Sequence, residues 1–210
     1  MLSYALEDDL EEGTVTNRQK KLRLLALLAT LALAPGAIAC GDDDDGGGGK
    51  ELTLNGENTV LTLDGAVVSA LQAKKVKVVP IEPAGPGGPA GVQFPITGGT
   101  VNSETLAGSI EHSGGLRFSI GRKTLEVTDF VADTESSVLS ATAGAAEIPL
   151  LTLDFAGLKR TTKGGAIVAS GIRVALTRAA AQAMNGILGV TFFEKGLALG
   201  ELTVTATAVS

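Results

Sequence analysis

The only cysteine of the 210-residue chain, Cys40, lies between two segments of opposite character. Before it, residues 18–23 are rich in Lys and Arg, residues 24–34 are apolar, and residues 37–39 are Ala-Ile-Ala; after it come Gly41, four Asp and four further Gly. A basic segment followed by an apolar run and a small-residue cleavage site is typical of a bacterial export signal. A lone cysteine cannot form an intramolecular disulfide, so the rest of the chain must fold on its apolar core alone.

A cysteine directly after such a leader is typical of a lipoprotein attachment site. We therefore predict that residues 1–39 are a signal peptide and that Cys40 is lipidated. The protein would then be exported and anchored to the cell membrane, with its domain on the extracytoplasmic side. Lipoprotein signals usually carry Leu where this chain has Ala37, so ordinary signal cleavage is one alternative. A retained transmembrane helix is another, although the apolar run is short for a span.

The start of the chain fits an export signal poorly. Acidic side chains are concentrated in residues 7–12, where an export signal is normally basic. Valine codons can start bacterial genes, and a start at Val15 would leave a short basic segment directly before the apolar run. Val15 is therefore the candidate start alongside Met1.

The composition after Cys40 indicates a spacer followed by one domain. Residues 40–50 are predicted to be a flexible acidic tether, because the aspartates repel one another and the glycines resist order. Residues 51–210 are long enough for one domain with its own core. Their acidic and basic side chains are almost equal in number, which argues against a nucleic-acid partner. The chain has six Phe, one Tyr and no Trp, so aromatic platforms for sugars or bases are scarce.

Alternation of apolar with polar or small residues predicts half-buried strands through most of this domain. The clearest predicted strands are residues 52–54, 59–63, 116–120, 124–130 and 202–209. Turns at residues 113–115 and 121–123 predict a meander over residues 106–131. Gly171 and Pro149 interrupt apolar runs, which predicts bulges or bends. Residues 82–91, rich in Gly and Pro, predict an irregular surface loop.

Two helices are predicted. One covers residues 64–74 with Asp64 as its cap, and the other covers residues 177–185 with Thr177 at its start and Gly186 after its end. The predicted fold class is mainly β, with antiparallel sheets packed as a sandwich-like domain and one or two short helices.

His112 is the only histidine, so any histidine chemistry must occur there. Strand parity places it on the same face as Ile110, beside a glycine turn. Two roles stay open: a hydrogen-bonded structural histidine that fixes the turn, or a contact to a ligand or metal. No further nitrogen or sulfur ligand accompanies it, so no metal site is predicted.

The sequence does not indicate an enzyme. Ser113 lacks the turn of a serine nucleophile, and adjacent residues of a strand point to opposite faces. Asp129, Asp133 and Glu135 could supply an acid and a base, but they lie where a strand ends in a polar turn, and carboxylates there are usually solvated. We predict a protein without catalytic residues.

Two segments resemble a known family. Residues 94–99 (Phe-Pro-Ile-Thr-Gly-Gly) and 107–116 (Ala-Gly-Ser-Ile-Glu-His-Ser-Gly-Gly-Leu) are similar to the HtaA domain of actinobacterial cell-surface proteins, a family associated with haem uptake. Further similarity lies in residues 125–130, 176–185 and 192–200. The resemblance covers most of residues 92–209, with a weaker match over residues 52–83.

The resemblance implies a β-rich domain and a haem-pocket role for His112. Haem-binding members pair a tyrosine iron ligand with a nearby histidine, whereas the only tyrosine here, Tyr4, lies in the leader. Haem would therefore bind through His112 itself or in an apolar cleft. We predict a lipid-anchored cell-envelope protein that binds haem or another apolar ligand. The alternative is a structural or adhesive envelope lipoprotein that has lost haem binding and acts through a protein partner.

Overall fold

A computed structural model of the protein describes residues 49–209, so the predictions for the signal peptide, Val15, Cys40 and most of the tether lie outside the described residues. The described part contains, in chain order, β1 (Glu51–Leu63), α1 (Gly65–Ala73), β2 (Lys77–Ile81), β3 (Gly85–Pro86), β4 (Gly91–Asn102), β5 (Gly108–His112), β6 (Gly115–Ile120), β7 (Lys123–Asp133), β8 (Val138–Ala143), β9 (Ala146–Asp154), β10 (Lys159–Lys163), β11 (Ala166–Leu176), α2 (Arg178–Leu188) and β12 (Ala198–Val209).

The strands form one antiparallel sheet that closes on itself. The order of the ring is β7-β5-β4-β1-β12-β11-β9-β8, and β8 pairs with β7 to complete an eight-stranded barrel. Outside the ring, β6 and β2 extend from β7, while β3 pairs with β4 and β10 pairs with β11. The predicted mainly β, antiparallel domain with one or two short helices is confirmed. A sandwich-like packing of sheets was predicted, but the structure has a single closed sheet. It closes because β7, which already pairs with β5, also pairs with β8 at the other end of the ring.

The predicted turn at residues 113–115 is wrong. β5 and β6 do not pair with each other; both pair with the same edge of β7, with Glu111 opposite Val131 and Gly115 opposite Thr128. Gly115 permits a close approach between backbones, since a Cβ at this position would lie 2.5 Å from the Val127 carbonyl oxygen. The glycines therefore mark an interruption within one long strand. The turn predicted at residues 121–123 is present between β6 and β7.

Other predicted irregularities are found in the sheet. The register of β11 shifts between Ala169 and Ile172, where Gly171 has a φ of 77°. Pro149 lies opposite Ser140, next to a register shift between β8 and β9. The segment of residues 82–91 is not wholly irregular, because β3 within it pairs with Val92 and Gln93.

Both predicted helices are present, but they begin and end at residues other than those predicted. The Thr177 side chain accepts a hydrogen bond from the Ala180 backbone, as its capping role predicts. Helix α2 continues through Gly186 to Leu188 and ends at Gly189, which has a left-handed conformation. Asp64 occupies the cap position of α1, but its side chain makes no capping hydrogen bond. Of the helices within residues 49–209, none is long and apolar enough to cross a membrane.

Candidate ligand-binding site

His112 lies inside the barrel at the end of β5. Its side chain shares the inner face of β5 with Ile110, as strand parity predicts, and only 7% of the residue is exposed. The ring Nε2 lies 2.7 Å from Thr59 Oγ1, and Nδ1 lies 3.2 Å from the carbonyl oxygen of Phe130. Both ring nitrogens therefore have a protein partner.

These partners determine how the ring is protonated. A carbonyl oxygen only accepts, so Nδ1 carries the hydrogen that is donated to Phe130, and Nε2 accepts from the Thr59 hydroxyl. Burial lowers the pKa of His112 below its ordinary value of 6.5, and the hydrogen bond to the Phe130 carbonyl only partly offsets that effect. The ring is thus neutral at physiological pH.

The lowered pKa predicts a loss of stability on acidification. The unfolded chain binds a proton near pH 6.5, whereas the folded chain binds it only at a lower pH. The free energy of unfolding should therefore be at its plateau above pH 6.5. Below that pH it should fall by up to about 1.4 kcal/mol per pH unit until the folded ring is protonated. Urea unfolding between pH 7.5 and 5 measures this slope.

Two controls test the assignment. His112→Gln has no ionisable group here and should show a flatter profile over the same range. The exposed carboxylates whose pKa is lowered, such as Asp133, change the free energy of unfolding only below about pH 4, outside the measured range. Because His112 is the only histidine, its imidazole proton NMR signal reports the folded pKa directly. A folded value of 6.5 or above would contradict the prediction.

The His112 ring lies between two cavities inside the barrel. The smaller, of about 80 Å³, is on the side of the helices and is lined by residues such as Leu71, Met184 and Phe193. The larger, of about 230 Å³, is on the other side. Four residues line both cavities, namely Thr59, His112, Leu139 and Leu202. The pair of Thr59 and His112 therefore forms the inner end of the larger cavity.

Half-buried apolar side chains form the outer end of the larger cavity. Leu106 comes from the connection between β4 and β5, while Phe155 and Leu158 come from the connection between β9 and β10. The Thr134 hydroxyl, also in the lining, donates to the Leu106 carbonyl at 2.7 Å, so it offers little to a ligand. A cavity with such walls suits an apolar molecule.

The sequence motifs of the resemblance surround His112. Phe94 packs edge-on against Phe130, with ring centroids 4.9 Å apart, and Ile96 lies opposite His112 in the β4–β5 pairing. Gly98 and Gly99 follow a register shift in the same pairing. These residues position the strand that carries His112. Thr59 was not identified from the sequence, because a threonine in an alternating strand gives no sign of a distant partner.

The carboxylates considered from the sequence make local contacts. Asp133 Oδ1 accepts hydrogen bonds from the backbone of Glu135 and Ser136, and these bonds lower the Asp133 pKa. Asp129 accepts a hydrogen bond from the Thr128 hydroxyl. Within residues 49–209, no group of three or more His, Cys, Asp or Glu side chains could hold a metal ion.

No protein-family model and no curated protein sequence matches the chain. Several solved structures are similar to it. The C-terminal domain of HtaA from Corynebacterium glutamicum superimposes with a TM-score of 0.59 at 16% identity, over 75% of this chain and 99% of that chain. A domain-swapped dimer of a variant of that domain gives 0.49 at 14% identity, over 86% and 100%. The heme binding protein HtaB from the same organism gives 0.47 at 13% identity, over 76% and 96%.

Proposed function

We propose that this chain, whose described domain has the HtaA-like fold, is a lipid-anchored cell-envelope protein that binds an apolar ligand in its larger cavity. The observation that carries the proposal is that cavity of about 230 Å³, with apolar walls and the hydrogen-bonded pair of His112 and Thr59 at its inner end. Well-packed domains contain few voids larger than a water molecule, so a void of this size is a feature to be explained.

Haem is the ligand that the sequence resemblance implies. Nε2 of His112 would have to leave Thr59 before it could bind iron, and Nδ1 already donates to the Phe130 carbonyl. The cavity is also below the roughly 300 to 1,000 Å³ usual for drug-sized ligands. Haem binding would thus need Leu106, Phe155 and Leu158 to move apart at the outer end. A smaller apolar molecule needs no such change.

Filling the cavity should block the ligand without harming the fold. Ala132 is buried and lines the larger cavity, so Ala132→Leu places the added methyl groups in empty space. We expect at least a tenfold loss of affinity for indole, a neutral fluorescent probe small enough for a cavity of about 230 Å³, with stability unchanged or increased. Probe fluorescence and urea unfolding measure the two effects.

Ala141→Leu is the matched control. Ala141 is completely buried and lies outside the lining of both cavities, so the same substitution should cost about 1 to 3 kcal/mol by overpacking and leave probe affinity unchanged. Haemin should be titrated in parallel. Displacement of the probe by haemin, with a saturable Soret shift, would identify haem as the ligand. If neither compound binds, the structural or adhesive alternative replaces the proposal.

The anchor is tested separately. In cells fed an alkyne-labelled fatty acid, the wild-type chain should acquire the label and sediment with membranes, and Cys40→Ser should lose both properties. Ala37→Leu restores the residue usual in lipoprotein signals and should retain or increase labelling. Labelling that survives Cys40→Ser would contradict the assignment of Cys40.

A further inference from the structure

Arg160 of β10 is not in the lining of the larger cavity, but it lies close to the segments that form the outer end of that cavity. In the pairing of β10 with β11, Arg160 is opposite Ala169 and Thr162 is opposite Ile167. Directly opposed residues of antiparallel strands have side chains on the same face of the sheet. Ala169 and Ile167 both line the larger cavity. The Arg160 side chain therefore starts from the cavity side of its strand, although it is exposed to solvent.

The guanidinium group of Arg160 joins the two segments that form the outer end. Its Nη1 donates a 2.6 Å hydrogen bond to the carbonyl oxygen of Ser103. Ser103 belongs to the connection that supplies Leu106, and Arg160 follows Leu158 by two residues. An arginine side chain thus bridges the two segments that carry Leu106 and Leu158.

Arg160 also has unused capacity for an anion. The two ion pairs within residues 49–209 are Arg117 with Glu126 and Arg173 with Asp154, so neither involves Arg160. Among residues 49–209, the hydrogen-bond partner of its guanidinium is the neutral Ser103 carbonyl, and a carboxylate is a stronger acceptor that the planar guanidinium can bind through two N–H groups.

The acidic side chains of the neighbouring segments do not occupy the guanidinium group of Arg160. Glu104, adjacent to Ser103, is exposed and forms no ion pair with Arg160 within residues 49–209. Asp133 is engaged by backbone N–H groups of its own turn.

The cavity volume limits the length of the apolar part. At roughly 30 Å³ for a water-sized group, 230 Å³ corresponds to about eight such groups. Each buried methylene contributes about fourfold in affinity. A flexible chain of about eight carbons fits this volume, with Thr59 and His112 at the inner end of the cavity and Arg160 close to the segments of the outer end.

We propose that the larger cavity binds a single-chain anionic amphiphile, with a tail of about eight carbons in the cavity and a carboxylate head on Arg160. The inference rests on the proposed function, because both require a ligand in this cavity. It adds the chemical class of that ligand and the residue that recognises its head.

Octanoate and 1-octanol test the head group, since they share a chain length and differ in charge. Their affinities are measured by NMR titration of the full chain carrying Cys40→Ser, which prevents the proposed lipidation. Octanoate should bind about tenfold more tightly than 1-octanol at low salt. Arg160→Gln should remove that difference and leave the affinity for 1-octanol unchanged.

Lys163→Gln is the matched control. It removes one positive charge from the same strand, but Lys163 has the opposite parity to Arg160 and its side chain starts from the outer face. We expect it to change octanoate affinity less than twofold. Equal affinities for octanoate and 1-octanol, or equal effects of the two substitutions, would overturn the head-group assignment while the proposed function stands. Failure of both compounds and of the neutral probe to bind would overturn the proposed function itself.

Discussion

Gly99→Ala should destabilise the domain by about 3 to 5 kcal/mol, a large part of the stability of a typical domain. Gly99 has a φ of 125°, which side-chain-bearing residues rarely adopt, and a Cβ there would overlap the carbonyl oxygen of Ser109 on β5. Either the β4–β5 pairing separates or the backbone is strained. Urea unfolding measures the loss, and the NMR signals of β5, including His112, should shift in whatever remains folded.

Gly121→Ala separates the cost of the backbone conformation from the cost of the close contact with another backbone. Gly121 also has a positive φ, of 58°, but no atom lies within 4 Å of a Cβ built there. Its substitution should cost only about 1 kcal/mol, the penalty for a left-handed alanine. Similar losses for the two variants would show that the contact with Ser109 is unimportant.

His112→Ala should cost about 3 to 5 kcal/mol, because it creates a cavity and leaves two buried groups without their partner. The Thr59 hydroxyl loses its acceptor and the Phe130 carbonyl loses its donor. The substitution also removes the ring between the two cavities, so the combined space should accept a longer apolar chain. Unfolding measurements give the cost, and a series of alkanols from octanol to dodecanol measures the change in preferred length.

Thr59→Val is the companion variant for His112→Ala. It keeps the shape of the side chain and removes only the hydroxyl, so it should cost about 1 to 3 kcal/mol through the unpaired Nε2. The double variant should cost less than the sum of the two single variants, because each single substitution disrupts the same hydrogen bond. Strict additivity would contradict a direct bond between these side chains.

The sequence predicted local features well where they depend on local chemistry. Thr177 caps α2 because a hydroxyl in that position reaches the backbone three residues ahead. Gly171 produces a bulge because its φ of 77° suits glycine. Ile110 and His112 share a face because strand parity fixes it. None of these outcomes needs knowledge of a distant segment.

Features that depend on pairing between distant strands were not predictable. Gly114 and Gly115 are compatible with a reversal of the chain or with a close approach to another backbone, and only the shared pairing of β5 and β6 with β7 selects the second. Thr59 meets His112 from a strand 53 residues away in sequence. Arg160 shares a face of the sheet with Ala169 because of the β10–β11 register, which no local pattern specifies.

Closure of the sheet also bears on how copies of the protein behave when crowded together. Within residues 49–209 the strands outside the ring that could add a partner are short: β10 and β2 have five residues each and β3 has two. Pro80 in β2 and Pro86 in β3 lack the N–H needed for pairing, and β10 contains two lysines and Arg160, which repel a second copy of the same strand. We therefore expect many copies on one surface to resist edge-to-edge aggregation.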